Sequence, residues 1–275
     1  MVPSSSQRVA VVTGANKGIG YFIALQLGLS GLFSKIILGC RDAARGTIAA
    51  NELNKLTTGG VDFQFVPLTI GDSDSHASFF QRMQQEFGKV DVLVNNAGFA
   101  YKGSDPTPFR DQTEKTLAIN YYGLVDFTEL MLPLLRKGDD PRLVNVASQS
   151  GYLRQVSPAL QQRFTSDSLT IPELTELVKE FAQAVQDGEH KKKGWSNSNY
   201  GISKLGVIAA TRIWARQEAG KISVNCCCPG YCDTDMSSHK GPRPPEEGAR
   251  NAVIPATMEN PPTGAFFKDY TVGDW

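Results

Sequence analysis

Net charge is missing from this sequence: 28 Lys plus Arg balance 28 Asp plus Glu over 275 residues. Binders of nucleic acid or of a membrane surface need a basic excess, so neither class is expected; only a local positive pocket stays open. No apolar run approaches the roughly 18 residues of a membrane-crossing helix. The opening MVPSSSQRVAVVTG lacks the charged, apolar and cleavage regions of a secretory leader. Cysteines are few and badly spaced for disulfides. Cys226, Cys227, Cys228 and Cys232 crowd into seven positions, where strand neighbours point to opposite faces, and Cys40 stands alone. There is no spaced CxxC pair and no HExxH, so no metal site is expected. His76, His190 and His239 lie in polar stretches without a triad partner and read as surface residues. A reducing cytoplasm is the expected location.

What is present is a regular alternation. Strands are expected at 8–14, 35–40, 62–68, 90–98, 142–148 and 221–230, with a seventh at 264–270. Helical patterns follow at 19–33, 43–56, 73–88 and 111–135. Near-continuous apolar strands separated by helices mean a parallel sheet covered on both faces. The expected fold is therefore α/β, a single doubly wound, Rossmann-type sheet of about seven strands occupying one domain over 1–275. One segment, 151–195, breaks the rhythm. There TIPE offers a capping box, with Thr170 as N-cap and Glu173 at N3. Leu174, Leu177, Val178, Phe181 and Val185 then keep one helical face, and Gly188 ends it. This predicts an inserted helix that packs on the domain, with KKK at 191–193 a solvated loop.

TGANKGIG (13–20) sits between a strand and a helix. Gly14 permits a tight turn; Gly18 and Gly20 permit close approach at a helix N-terminus, where free N–H groups favour a pyrophosphate. Alone, the motif also fits an ordinary strand-to-helix turn. Arg41 ends the second strand, Arg45 lies a turn further on, and Lys17 lies in the loop. Three cations near one ribose match a 2′-phosphate, which favours NADP(H) over NAD(H). NNAG (95–98), with Asn96, ends the fourth strand and reads either as a brace or as a turn. Ser148 ends the fifth strand, at the edge where such sheets bind ligands; a helix cap is the plainer alternative.

Tyr200 and Lys204 are four apart on a helix and share a face. Many helices contain that pair by chance. As chemistry, a lysine cation favours the phenolate and lowers the tyrosine's pKa, easing proton exchange with a substrate oxygen.

Together TGANKGIG, NNAG, Asn120, Ser148 and YGISK resemble the short-chain dehydrogenase/reductase family over nearly the whole chain. The resemblance implies a catalytic tetrad of Asn120, Ser148, Tyr200 and Lys204, with Asn120 holding a water linked to Lys204. It implies cofactor contacts from Gly14, Asn16, Lys17, Gly18, Ile19, Gly20, Arg41, Arg45, Asn96, Tyr200 and Lys204. PGYCDT (229–234) is similar to the segment that closes over the nicotinamide, which adds Pro229, Gly230, Cys232 and Thr234. Fifty-two residues separate Ser148 from Tyr200. That gap, with DPTPF (105–109), GW (194–195) and CCPG (227–230), is similar to the monomeric carbonyl reductases. This subgroup implies NADPH-dependent reduction of ketones, aldehydes and quinones by a monomer, because the insertion covers the usual subunit-pairing face. Thr69, followed by Ile70, stands where the family usually has Asp beside the adenine. Tyr231 stands where relatives have Trp, and Gln149 and Ser150 are more polar than usual, so Ser148, Gln149 and Tyr231 are the expected substrate wall. Tyr101, Lys102 and Gln112 match positions associated with glutathione conjugates, or are simply polar loop residues. Secondary-alcohol oxidation and non-catalytic NADPH binding remain the alternative functions.

Overall fold

Strand residues that are apolar on both sides have one stable arrangement, a sheet between two layers of helix. The computed structural model describes residues 8–57 and 60–275 and has this form; the polar tail expected at 1–7 lies outside the described residues. Strands β1 (Val9–Thr13), β2 (Lys35–Cys40), β3 (Asp62–Pro67), β4 (Val92–Asn95), β5 (Arg142–Val146), β6 (Ser223–Cys227), β7 (Phe266–Lys268) and β8 (Thr271–Gly273) form one sheet. Its order is β3-β2-β1-β4-β5-β6-β7-β8. The first seven strands are mutually parallel, and β8 returns antiparallel to β7. The sequence predicts about seven strands; β8 is too short, at three residues, to carry a pattern of its own.

Successive strand residues feed opposite cores, as the period of two requires. Val9 and Val11 of β1 join one cluster, Ala10 and Val12 the other. On the second side lie α1 (Gly18–Leu29) and α2 (Ala43–Leu56). On the first lie α3 (Ser73–Glu86), α4 (Phe109–Leu117), α5 (Gly123–Leu135), α6 (Pro158–Thr165), α7 (Ile171–Gln186) and α8 (Asn199–Gln217). Finally α9 (Pro245–Thr257) returns to the second side. Caps set several boundaries. The Asp72 carboxylate accepts from the N–H groups of Asp74 and Ser75 at the start of α3, and Gly88, at φ +69°, follows its end. Both halves of the Thr170–Glu173 capping box are formed at α7.

Four sequence expectations need correction. The helix expected over 111–135 is interrupted by a π turn at Ala118–Tyr122, which places Asn120 in its middle. Gly123 follows, and a Cβ there would come within 2.6 Å of the Gly71 nitrogen, so this close contact with the neighbouring loop needs glycine. A one-residue change of period is invisible in a pattern averaged over 25 positions. Residues 151–195 carry two helices, α6 and α7, rather than one. The helix α9 has no counterpart in the sequence reading, because its buried face is built from small residues, Gly248, Ala249, Ala252 and Ala256. His76 is buried, not a surface residue. Its ring packs on Phe127 at 5.2 Å, its Nε2 accepts from the Gly71 N–H at 3.2 Å, and burial pushes its pKa down. Its sequence neighbours are polar, but it lies three positions before Phe79 on the inward face of α3.

Candidate active site

The strand order reverses between β1 and β4, which opens a crevice at the carboxyl ends of the strands. Its floor is braced from both sides. The Thr13 hydroxyl accepts from the N–H groups of Asn96 and Ala97, at 3.0 and 2.9 Å. The Asn96 amide in turn donates to the carbonyls of Thr13 and Gly14, at 2.9 and 3.3 Å. Gly14, at φ +67°, approaches Ala97 so closely that a Cβ would meet its Cα at 2.9 Å. A Cβ on Gly20 would lie 2.4 Å from both the Asn96 amide nitrogen and the Gly14 carbonyl oxygen. Lys17 is the N-cap of α1 and its side chain makes no capping hydrogen bond, so it does not claim the first-turn N–H groups. A glycine cradle beneath unclaimed N–H groups fits a dinucleotide pyrophosphate. Asn16 lies in this loop and Ile19 in the first helical turn, packed against the core below.

The three cations expected at the 2′-phosphate are arranged unequally. Arg41 is exposed and has no ion pair among the described residues. Arg45 lies 3.4 Å from the Asp42 carboxylate, which also caps α2 by accepting from the Arg45 N–H at 3.0 Å. Lys17 is ion-paired with Asp235, beyond β6. Asp235 and Asp233 both hold the exposed His239, whose pKa rises through its hydrogen bonds to Asp233 and then Asp235. The segment after β6 therefore folds onto the glycine loop. A Cβ on Gly18 would be 3.6 Å from Thr234. The Cys232 thiol donates to the Pro229 carbonyl at 3.3 Å and packs against Gly248. Arg243 pins the turn by donating to the Pro229 carbonyl at 3.0 Å, against Gly230. Thr69 and Ile70 are half-buried at the end of β3, with the Thr69 N–H donating to the Ser75 hydroxyl at 2.8 Å.

Helix α8 brings Tyr200 and Lys204 to the end of β5. Ser198 caps the helix by accepting from the Gly201 N–H at 2.9 Å, and Asn199 ties it to α4 through the Phe109 carbonyl at 2.9 Å. The Lys204 Nζ donates to the Val146 carbonyl at 2.8 Å and lies 5.7 Å from the Tyr200 ring centroid. Ser148 faces Tyr200 closely enough to oppose the upward shift of its pKa. Asn120 approaches the same region. A Cβ on Gly98 would find the Asn120 Oδ1 at 3.5 Å and the Lys204 Nζ at 3.8 Å. The Asn120 amide is held by Phe99, accepting from its N–H at 2.7 Å and donating to its carbonyl at 2.8 Å. Its second donor reaches the Ser203 hydroxyl at 3.2 Å. One side-chain lone pair remains for a water, beside whatever the π-turn backbone offers.

The electrostatics differ from the sequence expectation that Lys204 lowers the Tyr200 pKa. Tyr200 is pushed up to about 12, chiefly by burial and also by Cys228, with Ser148 acting in the opposite direction. Part of its surface still meets solvent, so close packing around the ring rather than full enclosure is responsible. Lys204 is pulled down to about 8 by burial, with Cys227 and Cys228 opposing. Burial is the largest cause of both shifts, and the ammonium makes its hydrogen bond to the Val146 carbonyl. Both shifts favour the neutral forms, the phenol and the amine.

The expected substrate wall is only partly assembled. Gln149 is exposed beside Ser148, and Tyr231 is 57% exposed at the rim. Tyr101 stacks edge-on with Phe99 at 4.9 Å, and the Lys115 ammonium lies over both rings at 5.8 and 4.7 Å. Lys102 is exposed. Gln112 is turned away to the Thr107 carbonyl at 2.7 Å. The sequence reading overlooked Phe99, whose backbone fixes Asn120; its place directly after NNAG was the available signal.

A family model described as short chain dehydrogenase matches residues 8–159 and 186–244. The chain belongs to the short chain dehydrogenase family. The unmatched stretch between those two blocks holds most of α6 and nearly all of α7. This short chain dehydrogenase is 41% identical over 283 residues to carbonyl reductase (NADPH) 1 of Sus scrofa, covering 99% of this chain and 96% of that protein. It is 40% identical over 284 residues to the Homo sapiens protein of the same name, covering 99% and 100%. Among solved structures, salutaridine reductase from Papaver somniferum is similar at a TM-score of 0.85 and 31% identity, covering 96% of this chain and all of the other.

Proposed function

We propose that this short chain dehydrogenase reduces small carbonyl compounds (ketones, aldehydes or quinones) to alcohols with NADPH. The observation that carries the reading is the convergence of Ser148, Tyr200 and Lys204 at the end of β5, beside a glycine cradle suited to a dinucleotide. The names of the similar proteins support the same chemistry.

NADPH, when bound, supplies hydride to the carbonyl carbon. Tyr200 holds its proton until the substrate oxygen gains charge, then donates it. The Ser148 hydroxyl bonds that same oxygen and stabilises the charge that develops on it. Lys204, with a pKa pulled down to about 8, restores the Tyr200 proton through a water beside Asn120. Gly14, Asn16, Gly18, Ile19 and Gly20 would hold the pyrophosphate; Lys17, Arg41 and Arg45 would meet the 2′-phosphate; Thr69 and Ile70 would border the adenine. Asn96 braces the floor, while Pro229, Gly230, Cys232 and Thr234 would border the nicotinamide.

The chain is proposed to act as a single domain over 1–275, with 151–195 as an insertion. It is proposed to be monomeric, because Leu174, Leu177, Val178 and Phe181 of α7 share one core with Ile202, Leu205 and Ile213 of α8 and so occupy a face that could otherwise pair subunits. Five free, buried cysteines suit a reducing cytoplasm, and the balanced charge suits a small-molecule substrate rather than nucleic acid. The test is a panel of ketones, aldehydes and quinones with NADPH. A purified protein that binds NADPH and reduces none of them would rule the reading out.

A further inference from the structure

Ser148 is followed by a single 3-10 turn, Gln149–Gly151. Two hydrogen bonds fold this turn back on the serine: the Gly151 N–H donates to the Ser148 carbonyl at 2.9 Å, and the Ser150 N–H donates to the Ser148 hydroxyl at 3.1 Å. The turn that ends at Gly151 is therefore the one that holds both the backbone and the hydroxyl of Ser148.

Gly151 is held from two directions. On one side it lies against the backbone of α8. A Cβ there would come within 2.7 Å of the Lys204 carbonyl carbon and 2.8 Å of the Leu205 nitrogen. On the other side its carbonyl accepts from the Trp275 indole N–H at 3.0 Å. The Arg212 guanidinium, from α8, covers the Trp275 ring at 5.4 Å and holds the indole in place. The hairpin of β7 and β8 grips the next residue too. Tyr152 packs edge-on against Phe266 at 5.9 Å, and its hydroxyl accepts from the Lys268 ammonium at 3.2 Å.

We propose that Trp275 is a positioning residue for Ser148. Its indole N–H holds the Gly151 carbonyl, and through it the turn that aims the serine hydroxyl at the substrate oxygen. Trp275 lies outside the glycine loop and the family motifs, and the Tyr200 helix meets it through Arg212. Its role would be transmitted through one peptide unit and would be felt in the chemical step rather than in cofactor binding. The proposal rests on the reading of Ser148 as the group that holds the substrate oxygen.

Trp275→Phe keeps a ring for Arg212 and deletes the N–H donor. The expected result is a fall in kcat of about tenfold, since small misplacements of a reacting group carry large rate costs. The melting temperature and NADPH dissociation constant should stay at wild-type values. Benzothienylalanine at 275, which keeps the bicyclic shape and removes only the donor, should give the same fall even if the Phe variant loses stability. A wild-type kcat in the benzothienylalanine protein overturns the proposal, as does a kcat loss matched by equal loss of NADPH binding. Ser148→Ala, assayed alongside, separates the two ideas. If it is fully active, the reading of Ser148 itself fails; if it is inactive while both Trp275 variants work normally, only the positioning role fails.

Discussion

Lys204 donates to the Val146 carbonyl, two residues before Ser148. One hydrogen bond thus fastens the helix that carries Tyr200 to the strand that carries its serine partner. The same ammonium lies over the Tyr200 ring at 5.7 Å, yet burial dominates the Tyr200 shift.

Tyr200→Phe removes the proposed proton donor and leaves the ring packing intact. Turnover with NADPH and a reactive ketone should fall by about 100- to 10,000-fold, the range associated with a general acid. NADPH binding, followed by fluorescence titration, should change little. Full activity in this variant would remove Tyr200 from the mechanism.

The buried Lys204 gives stability a pH dependence of defined sign. Its folded pKa of about 8 lies below the ordinary 10.5. Between those values the unfolded chain binds more protons than the folded one, so folding gains as pH rises. Below both, the cost of the buried ammonium is present in full. Tyr200, raised from 10.0 to about 12, works in the opposite direction, but only above its ordinary value. From about pH 8 to 9.5 the wild type should gain on the order of 1–2 kcal/mol relative to Lys204→Met. Urea unfolding at both pH values reads this directly; a flat difference would contradict the buried charge.

Arg41 has no carboxylate partner among the described residues, whereas Lys17 and Arg45 are paired with Asp235 and Asp42. Arg41 can therefore meet a 2′-phosphate without breaking an existing ion pair. Arg41→Ala should weaken NADPH binding by about tenfold and leave NADH binding unchanged. Equal effects on the two cofactors, measured by titration, would place Arg41 away from the 2′-phosphate.

Phe181 is fully buried in α7, against Trp195 at 5.6 Å. Phe181→Ala should cost about 3–5 kcal/mol in stability. If the insertion belongs to the core of a monomer, unfolding should remain one transition, and light scattering should return a mass near 29.9 kDa for the wild type. A separate early transition or a multiple of that mass would refute this.

The parallel strands were legible because burial on both faces removes polar alternation: β1, β2 and β4 read as plain apolar runs. Capping chemistry was legible at Thr170 and Glu173 for a similar reason, since the partners are three residues apart. The π turn was not, because it depends on Gly123 fitting against Gly71, a contact across some fifty residues of chain. The helix α9 was missed because close packing there uses glycine and alanine, which carry little hydrophobic signal. Within the site, residue types and order pointed to Ser148, Tyr200 and Lys204, but the direction of the Tyr200 shift depends on how tightly its ring is enclosed. Local sequence holds no record of that.

The mutual bonds of Thr13 and Asn96 have a thermal consequence. A crevice floor already cross-tied at both strand ends has few motions left to freeze when a dinucleotide arrives. The loss of freedom on binding then falls on the ligand and on the segment beyond Pro229. Calorimetry would separate the two, because trimming the Lys17–Asp235 clasp should alter the entropy of association far more than any change to the floor.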